Sequence, residues 1–184
     1  MEQHHEHVCE VLQCLCKNHL YAHADKCNFH TNSMEYLGYM LSPASLSMVN
    51  YKVKTIQEWP EPCKVKDIQS FLGFANFCQR FIFNYSNITI LLMHLTRKGI
   101  VWNFTLECRE SFETLKKAFA TAPVLTHWVS NVPIILKTDS SNYALVAILS
   151  ITSLDDSKVL LITFHSWTFT TLELNYDIHD KSCL

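Results

Sequence analysis

Lys64-Val65-Lys66-Asp67-Ile68-Gln69-Ser70-Phe71-Leu72-Gly73-Phe74-Ala75-Asn76-Phe77-Cys78-Gln79-Arg80-Phe81-Ile82 is the stretch from which the rest of the chain can be read. At about 100° per residue, Ile68, Phe71, Leu72, Ala75 and Ile82 fall on one side of a helix, so the spacing predicts a helix over 64–82. Gln69, Gly73, Phe77 and Arg80 fall within roughly 80° of one another on the opposite side. A solvated back would carry Glu and Lys, and a mid-helix glycine costs about 1 kcal/mol against alanine. The bare backbone at Gly73, flanked by an amide, a ring and a guanidinium, suits a nucleic-acid groove. There the amide reaches base edges, the ring packs on sugars and the guanidinium meets phosphate. It also suits a neighbouring helix packed against Gly73. Spacing alone leaves both readings open.

The bulk composition sets the frame. A chain of 184 residues, 48% apolar, holds one domain or two small ones with a real core. Three glycines and no Ser/Gly/Pro tract argue against a long disordered linker. The formal charge is −2, but residues 51–100 hold seven Lys/Arg against three Asp/Glu, a balance of +4. The segments on either side are each −3, so local sign would steer a polyanion to the 64–82 helix. The eight cysteines form no C-x-x-C pair, which reads as reduced thiols in an intracellular protein. No apolar run approaches 18 residues, so no membrane span is expected. His4-His5-Glu6-His7 reads as a solvated helix start; without a second ligand cluster it is a poor metal site.

Val8, Val11, Leu12, Leu15 and Cys16 repeat at helical spacing and predict an amphipathic helix over 5–19. Short extended pieces flank a turn at 24–26. Met34–Leu41, rich in aromatics and broken by Gly38, predicts a hairpin with a close approach or bulge at the glycine. Ser47–Trp59 reads as a short helix closed by Pro60 and Pro62. Ile88–Leu95 stops at Arg97-Lys98-Gly99, a helix C-terminus. In Glu107–Thr121, Cys108, Phe112, Leu115 and Phe119 make one face and Glu113, Lys116 and Lys117 another. Val132–Asp139, Tyr143–Ser150 and Val159–Phe164 predict three strands, with helix signals from Leu172 onward.

V-K-D-I-Q-S-F-L-G-F-A-N-F, followed by R-F-I and Asn84-Tyr85-Ser86, resembles the thumb helix of gypsy-type LTR-retrotransposon reverse transcriptases. The resemblance implies that Gln69, Gly73 and Phe77 track the minor groove of a primer–template duplex, with Arg80 beside them. E-Y-L-G-Y-M-L is similar to the family's primer grip, which implies a role for Leu37, Gly38 and Tyr39 at the primer end. L-Y-A-H-A-D-K-C-N-F-H also matches, with Ala24 where the family often has proline, and Ala122-Pro123-Val124-Leu125 looks like the exit from the last thumb-side helix. Thr138-Asp139-Ser140-Ser141 resembles the first-strand T-D-A-S of ribonuclease H domains, where the aspartate is a metal ligand. Asn175-Tyr176-Asp177-Ile178-His179-Asp180-Lys181 is close to the family's N-Y-D-I-H-D-K-E.

Departures from that pattern matter as much as the matches. Ser182 stands where the family has its ligand glutamate, and a hydroxyl brings no charge. Asp180 lies about 200° around a helix from Ser182 and cannot take over. Val146 replaces a glycine usual in the second strand. Two Mg²⁺ ions about 3.5–4 Å apart need several converging carboxylates, so Asp139 alone is expected to hold the ion weakly if at all. The Y-x-D-D turn that the family uses for polymerisation has no counterpart here, and Asp155-Asp156 reads as loop charge.

The expected fold class is therefore α+β. Residues 1–50 would be the end of a reverse-transcriptase palm with its primer-grip hairpin. Residues 51–127 would be a helical thumb and connection, and 128–184 the first half of a ribonuclease H-like domain. The expected function is that of a retrotransposon polyprotein fragment, inactive alone, that retains weak binding to an RNA/DNA hybrid or DNA duplex. The alternatives are one piece of an active polyprotein working with the remainder of Pol, and a domesticated interaction protein.

Overall fold

A computed structural model describes residues 2–153, 157–170, 172–176 and 181. The chain forms two compact units, Met1–Asn32 and Ser33–Leu184. In the first, α1 (Glu2–Lys17) is the expected amphipathic helix, followed by a 3-10 turn at Ala24–Lys26. His4, His5, Glu6 and His7 lie on its exposed first turns, with the His4 ring 4.8 Å from that of His30. Its apolar stripe is incompletely covered: Val11 is 59% and Leu12 39% exposed.

The second unit begins with the hairpin, β1 (Met34–Tyr36) and β2 (Tyr39–Leu41), paired antiparallel. Leu37 and Gly38 both have positive φ, +50° and +76°, which is the type I′ turn that matches strand twist. Here the sequence expectation needs a correction. Ser45–Met48 forms a third strand, β3, against β2, and α2 spans only Asn50–Gln57. The pairing partner that makes this segment a strand is the hairpin itself, which helical spacing does not register. The chain returns to the same sheet after the helices, where β4 (Leu125–Thr126) pairs with β3 to give the order β1-β2-β3-β4.

Three helices carry the core. α3 (Val65–Phe77) starts where the Asp67 carboxylate accepts from the Cys63 and Lys64 backbone N–H groups at 3.1 and 3.2 Å. α4 spans Tyr85–Leu95, and Gly99 follows its end at φ +85°. α5 spans Leu106–Ala120, capped by the Thr105 hydroxyl accepting from Cys108 N. Phe71, Phe112, Leu115, Phe119, Ile68 and Leu92 are at most 1% exposed and interlock these helices. Lys116, on the other face from this core, is tied to a distant segment. Its ammonium donates to the Trp59 carbonyl at 3.0 Å and lies 5.1 Å from the Phe112 ring centre.

The predicted helix over 64–82 also breaks early. The Phe77 carbonyl, which would accept from Phe81 N–H in a continuing helix, takes the Tyr39 hydroxyl at 2.6 Å instead. Gln79–Phe81 tightens into a 3-10 turn, and Asn84 enters the left-handed region before α4. Phe81 and Ile82 remain buried, so the apolar pattern survives the break.

β5 (Ile134–Ser140), β6 (Ala144–Thr152) and β7 (Val159–Thr168) form an antiparallel sheet in sequence order, with an extra residue at Ile162 marking a bulge. The sheet is tied to the start of α4, where Ser166 Oγ accepts from Ser86 N at 2.9 Å and Ser141 bonds Asn87 at 3.3 Å. Of the helix expected from Leu172, a 3-10 turn at Glu173–Asn175 is described; Asp177, Asp180 and Ser182 lie outside the described residues. The whole is α+β. Among the described residues, no helix is long and apolar enough to cross a membrane.

Candidate nucleic-acid interface

Gln69, Gly73 and Phe77 recur every four residues along α3 and are all exposed, Phe77 at 45%. Ile68, Phe71, Leu72 and Ala75 are buried on the other side, which fixes the helix about its axis. A Cβ built at Gly73 meets nothing within 4 Å. A neighbouring helix packed on that glycine, one of the two readings the spacing allowed, is thus not found among the described residues. Arg80 is also exposed, carried by the 3-10 turn rather than by the helix.

The hairpin meets this helix directly. The rings of Tyr39 and Phe77 stack at 4.9 Å with 8° between planes, in addition to the hydroxyl bond to the Phe77 carbonyl. Burial pushes the Tyr39 phenol up to about 12, with the nearby Cys78 adding to the rise and Arg80 opposing it. Leu37, 66% exposed, stands at the tip of the turn. A left-handed conformation costs a residue with a side chain of order 1–3 kcal/mol. Gly38 beneath it is buried against Lys52, whose Nζ and Cε occupy the space a Cβ would need. Lys52 is the residue that sequence reading passed over. Its only signal was membership of the +4 block; α2 and the hairpin turn bring it to Phe77, with Nζ 4.2 Å from that ring centre.

The Tyr39 titration gives a direct check. A phenol held above its ordinary value of 10 contributes stability that is complete below pH 10 and is lost as pH rises toward about 12. Unfolding free energy is expected to fall across that window, and Tyr39→Phe to flatten the fall while costing about 1 kcal/mol at neutral pH through the lost hydrogen bond. Tyr85, buried and bonded to Asn76, is raised in the same direction and keeps part of the slope in the variant. An unchanged slope in Tyr39→Phe would contradict the assignment.

Asp139 sits on β5, exposed, directly across from Val146, which is 5% exposed. The other described carboxylate of residues 128–184 is Glu173, which accepts from Thr170 N at 2.6 Å and Trp167 Nε1 at 3.4 Å. Trp167 pairs with Leu145 and Asp139 with Val146, so strand alternation places the two acids toward opposite faces of the sheet. Among the described residues no three His, Cys, Asp or Glu side chains gather at metal-binding distance. Asp139 and Glu173 therefore do not converge on one ion, and positions 177–180 and 182 lie outside the described residues.

Residues 104–184, which hold α5, β4 and the β5–β7 sheet, match the family described as the RNase H-like domain found in reverse transcriptase. Over residues 104–184 the chain thus carries an RNase H-like domain of the reverse-transcriptase kind, and along its length it is homologous to retrotransposon polyproteins. It is 31% identical over 182 residues to the transposon Tf2-3 and Tf2-4 polyproteins of Schizosaccharomyces pombe, matching 99% of this chain and 14% of each relative. The chain thus spans about one seventh of those polyproteins. Among solved structures it is similar to the foamy viral protease-reverse transcriptase in complex with an RNA/DNA hybrid, with a TM-score of 0.75 and 21% identity over 100% of this chain and 25% of that one. A second structure of that protein, with double-stranded DNA, gives a TM-score of 0.76 and 22% identity over 98% of this chain and 32% of that one. Proteins of this family generally use Mg²⁺.

Proposed function

We propose that the chain binds an RNA/DNA hybrid or DNA duplex along the open face of α3 and the adjoining hairpin turn, and that alone it does not cleave the duplex. The observation that carries this reading is the bare, uncovered backbone at Gly73, lined by exposed Gln69 and Phe77. In this arrangement Gln69 reaches toward base edges, Phe77 packs on sugars and Arg80 meets phosphate. Leu37 presents the turn, which the buried Gly38 shapes against Lys52, while Tyr39 works from below, its hydroxyl spent on Phe77. The foamy viral structures, solved with a hybrid and with double-stranded DNA, support the reading by analogy of fold.

Inactivity follows from charge. Ser182 replaces the ligand glutamate, and Asp139 and Glu173 face apart, so Mg²⁺ finds too few oxygen anions to be held stably. The uncovered stripe of α1 favours a second reading, in which the chain works as one segment of a longer polyprotein that packs there. Open reading frames on both sides in the genome, with Y-x-D-D upstream, would support it, and stop codons would end it.

The test is anisotropy of a labelled RNA/DNA hybrid titrated with the purified chain. Log affinity is expected to fall with log salt by about 0.9 for each phosphate contacted, and Arg80→Ala with Lys66→Ala to weaken binding and reduce the slope. A flat salt response would overturn the binding reading. With Mg²⁺ present the hybrid is expected to stay intact; cleavage that disappears in Asp139→Ala would overturn the inactive one.

A further inference from the structure

We infer that Lys52 is a phosphate-contacting residue of the duplex site, held at the junction of hairpin and helix with its charge unspent. The inference rests on the duplex-binding reading and adds to it a cation on a different element, α2. The Lys52 stem passes beneath the hairpin turn, against Gly38, and its ammonium ends 4.2 Å from the Phe77 ring centre, 5.8 Å from that of Phe74 and 5.9 Å from that of Tyr39. The rings attract and orient the cation but carry no net charge to cancel it.

Lys54, two residues on, is paired with Glu58 at 3.8 Å, and Lys64 with Asp67 at 3.9 Å. Lys52 has no such acid within salt-bridge distance among the described residues, and its ammonium retains three donors. Phe77, whose ring the ammonium approaches, is exposed and lies on the same side of α3 as the exposed Gln69 and Gly73. A strand phosphate passing that side would complete the ammonium, as an oxygen anion is the ligand the rings cannot replace.

The experiment measures hybrid affinity by anisotropy at 50 and 200 mM KCl for the unaltered chain, Lys52→Gln, Lys52→Met and Lys52→Arg. Removing one phosphate contact should make the salt slope shallower by about 0.9, so the fourfold rise in salt costs the Gln and Met variants about 3.5-fold less than it costs the unaltered chain. Lys52→Arg should keep the slope. Lys52→Met retains the apolar stem, and a circular dichroism melt checks that it folds. Weaker binding with an unchanged slope in a folded Met variant would make Lys52 a packing residue and overturn the inference alone. Failure of the unaltered chain to bind would overturn this inference and the duplex reading together.

Discussion

Replacing Phe71 by alanine is expected to destabilise the second unit by about 3–5 kcal/mol, the usual cost of emptying a fully buried phenylalanine site. Phe71 is 0% exposed, with the Phe112 ring centre at 4.5 Å and that of Trp59 at 5.7 Å. It therefore joins α3 to α5 and to the segment after α2. Three separate parts of the chain meet at this ring, so none can relax inward alone to fill the gap. Against a typical total of 5–15 kcal/mol, such a loss leaves much of the population near unfolding. Urea unfolding followed by circular dichroism measures it, with Phe71→Leu as the milder comparison. A loss below about 1 kcal/mol would mean that the ring is not packed as described.

Gly73→Leu should move stability and binding in opposite directions. In an exposed helix interior, leucine in place of glycine is worth up to about 1 kcal/mol, and no atom of the described residues within 4 Å obstructs it. The same side chain would stand where a duplex backbone must come close. A clash or displacement there costs roughly 1–3 kcal/mol, on the order of ten- to a hundredfold in hybrid affinity. A melt and an anisotropy titration on one preparation read both effects. Higher stability with unchanged affinity would place the duplex elsewhere, whereas lower stability would return the glycine to a packing role.

Much of the helical part of this fold was legible beforehand because it is local. The 3.6-residue recurrence of Phe71, Leu72 and Ala75, or of Cys108, Phe112, Leu115 and Phe119, marks a buried face wherever that face goes. The three strands β5–β7 were likewise announced by β-branched runs between polar turns. The misses share one cause. Ser45–Met48 became a strand because β2 and β4 lie on either side of it, and neither partner is visible in its own spacing. Periodicity put Lys116 on the face away from Phe112, but its ammonium bonds the distant Trp59 carbonyl and lies over the Phe112 ring. Lys52 looked like one lysine among several until the hairpin turn met it.

By itself, the sequence determined the likeness to retrotransposon polyproteins and the buried face of α3, since each is written in residue order and residue chemistry. Only the tertiary structure decided where α3 ends and what surrounds its open face. A hydroxyl from Tyr39, 38 positions away in the chain, takes the carbonyl that would have carried the helix onward. Hydrogen bonds between distant segments override local propensity because a helix end needs just one competing donor, and sequence spacing does not say which donor will arrive.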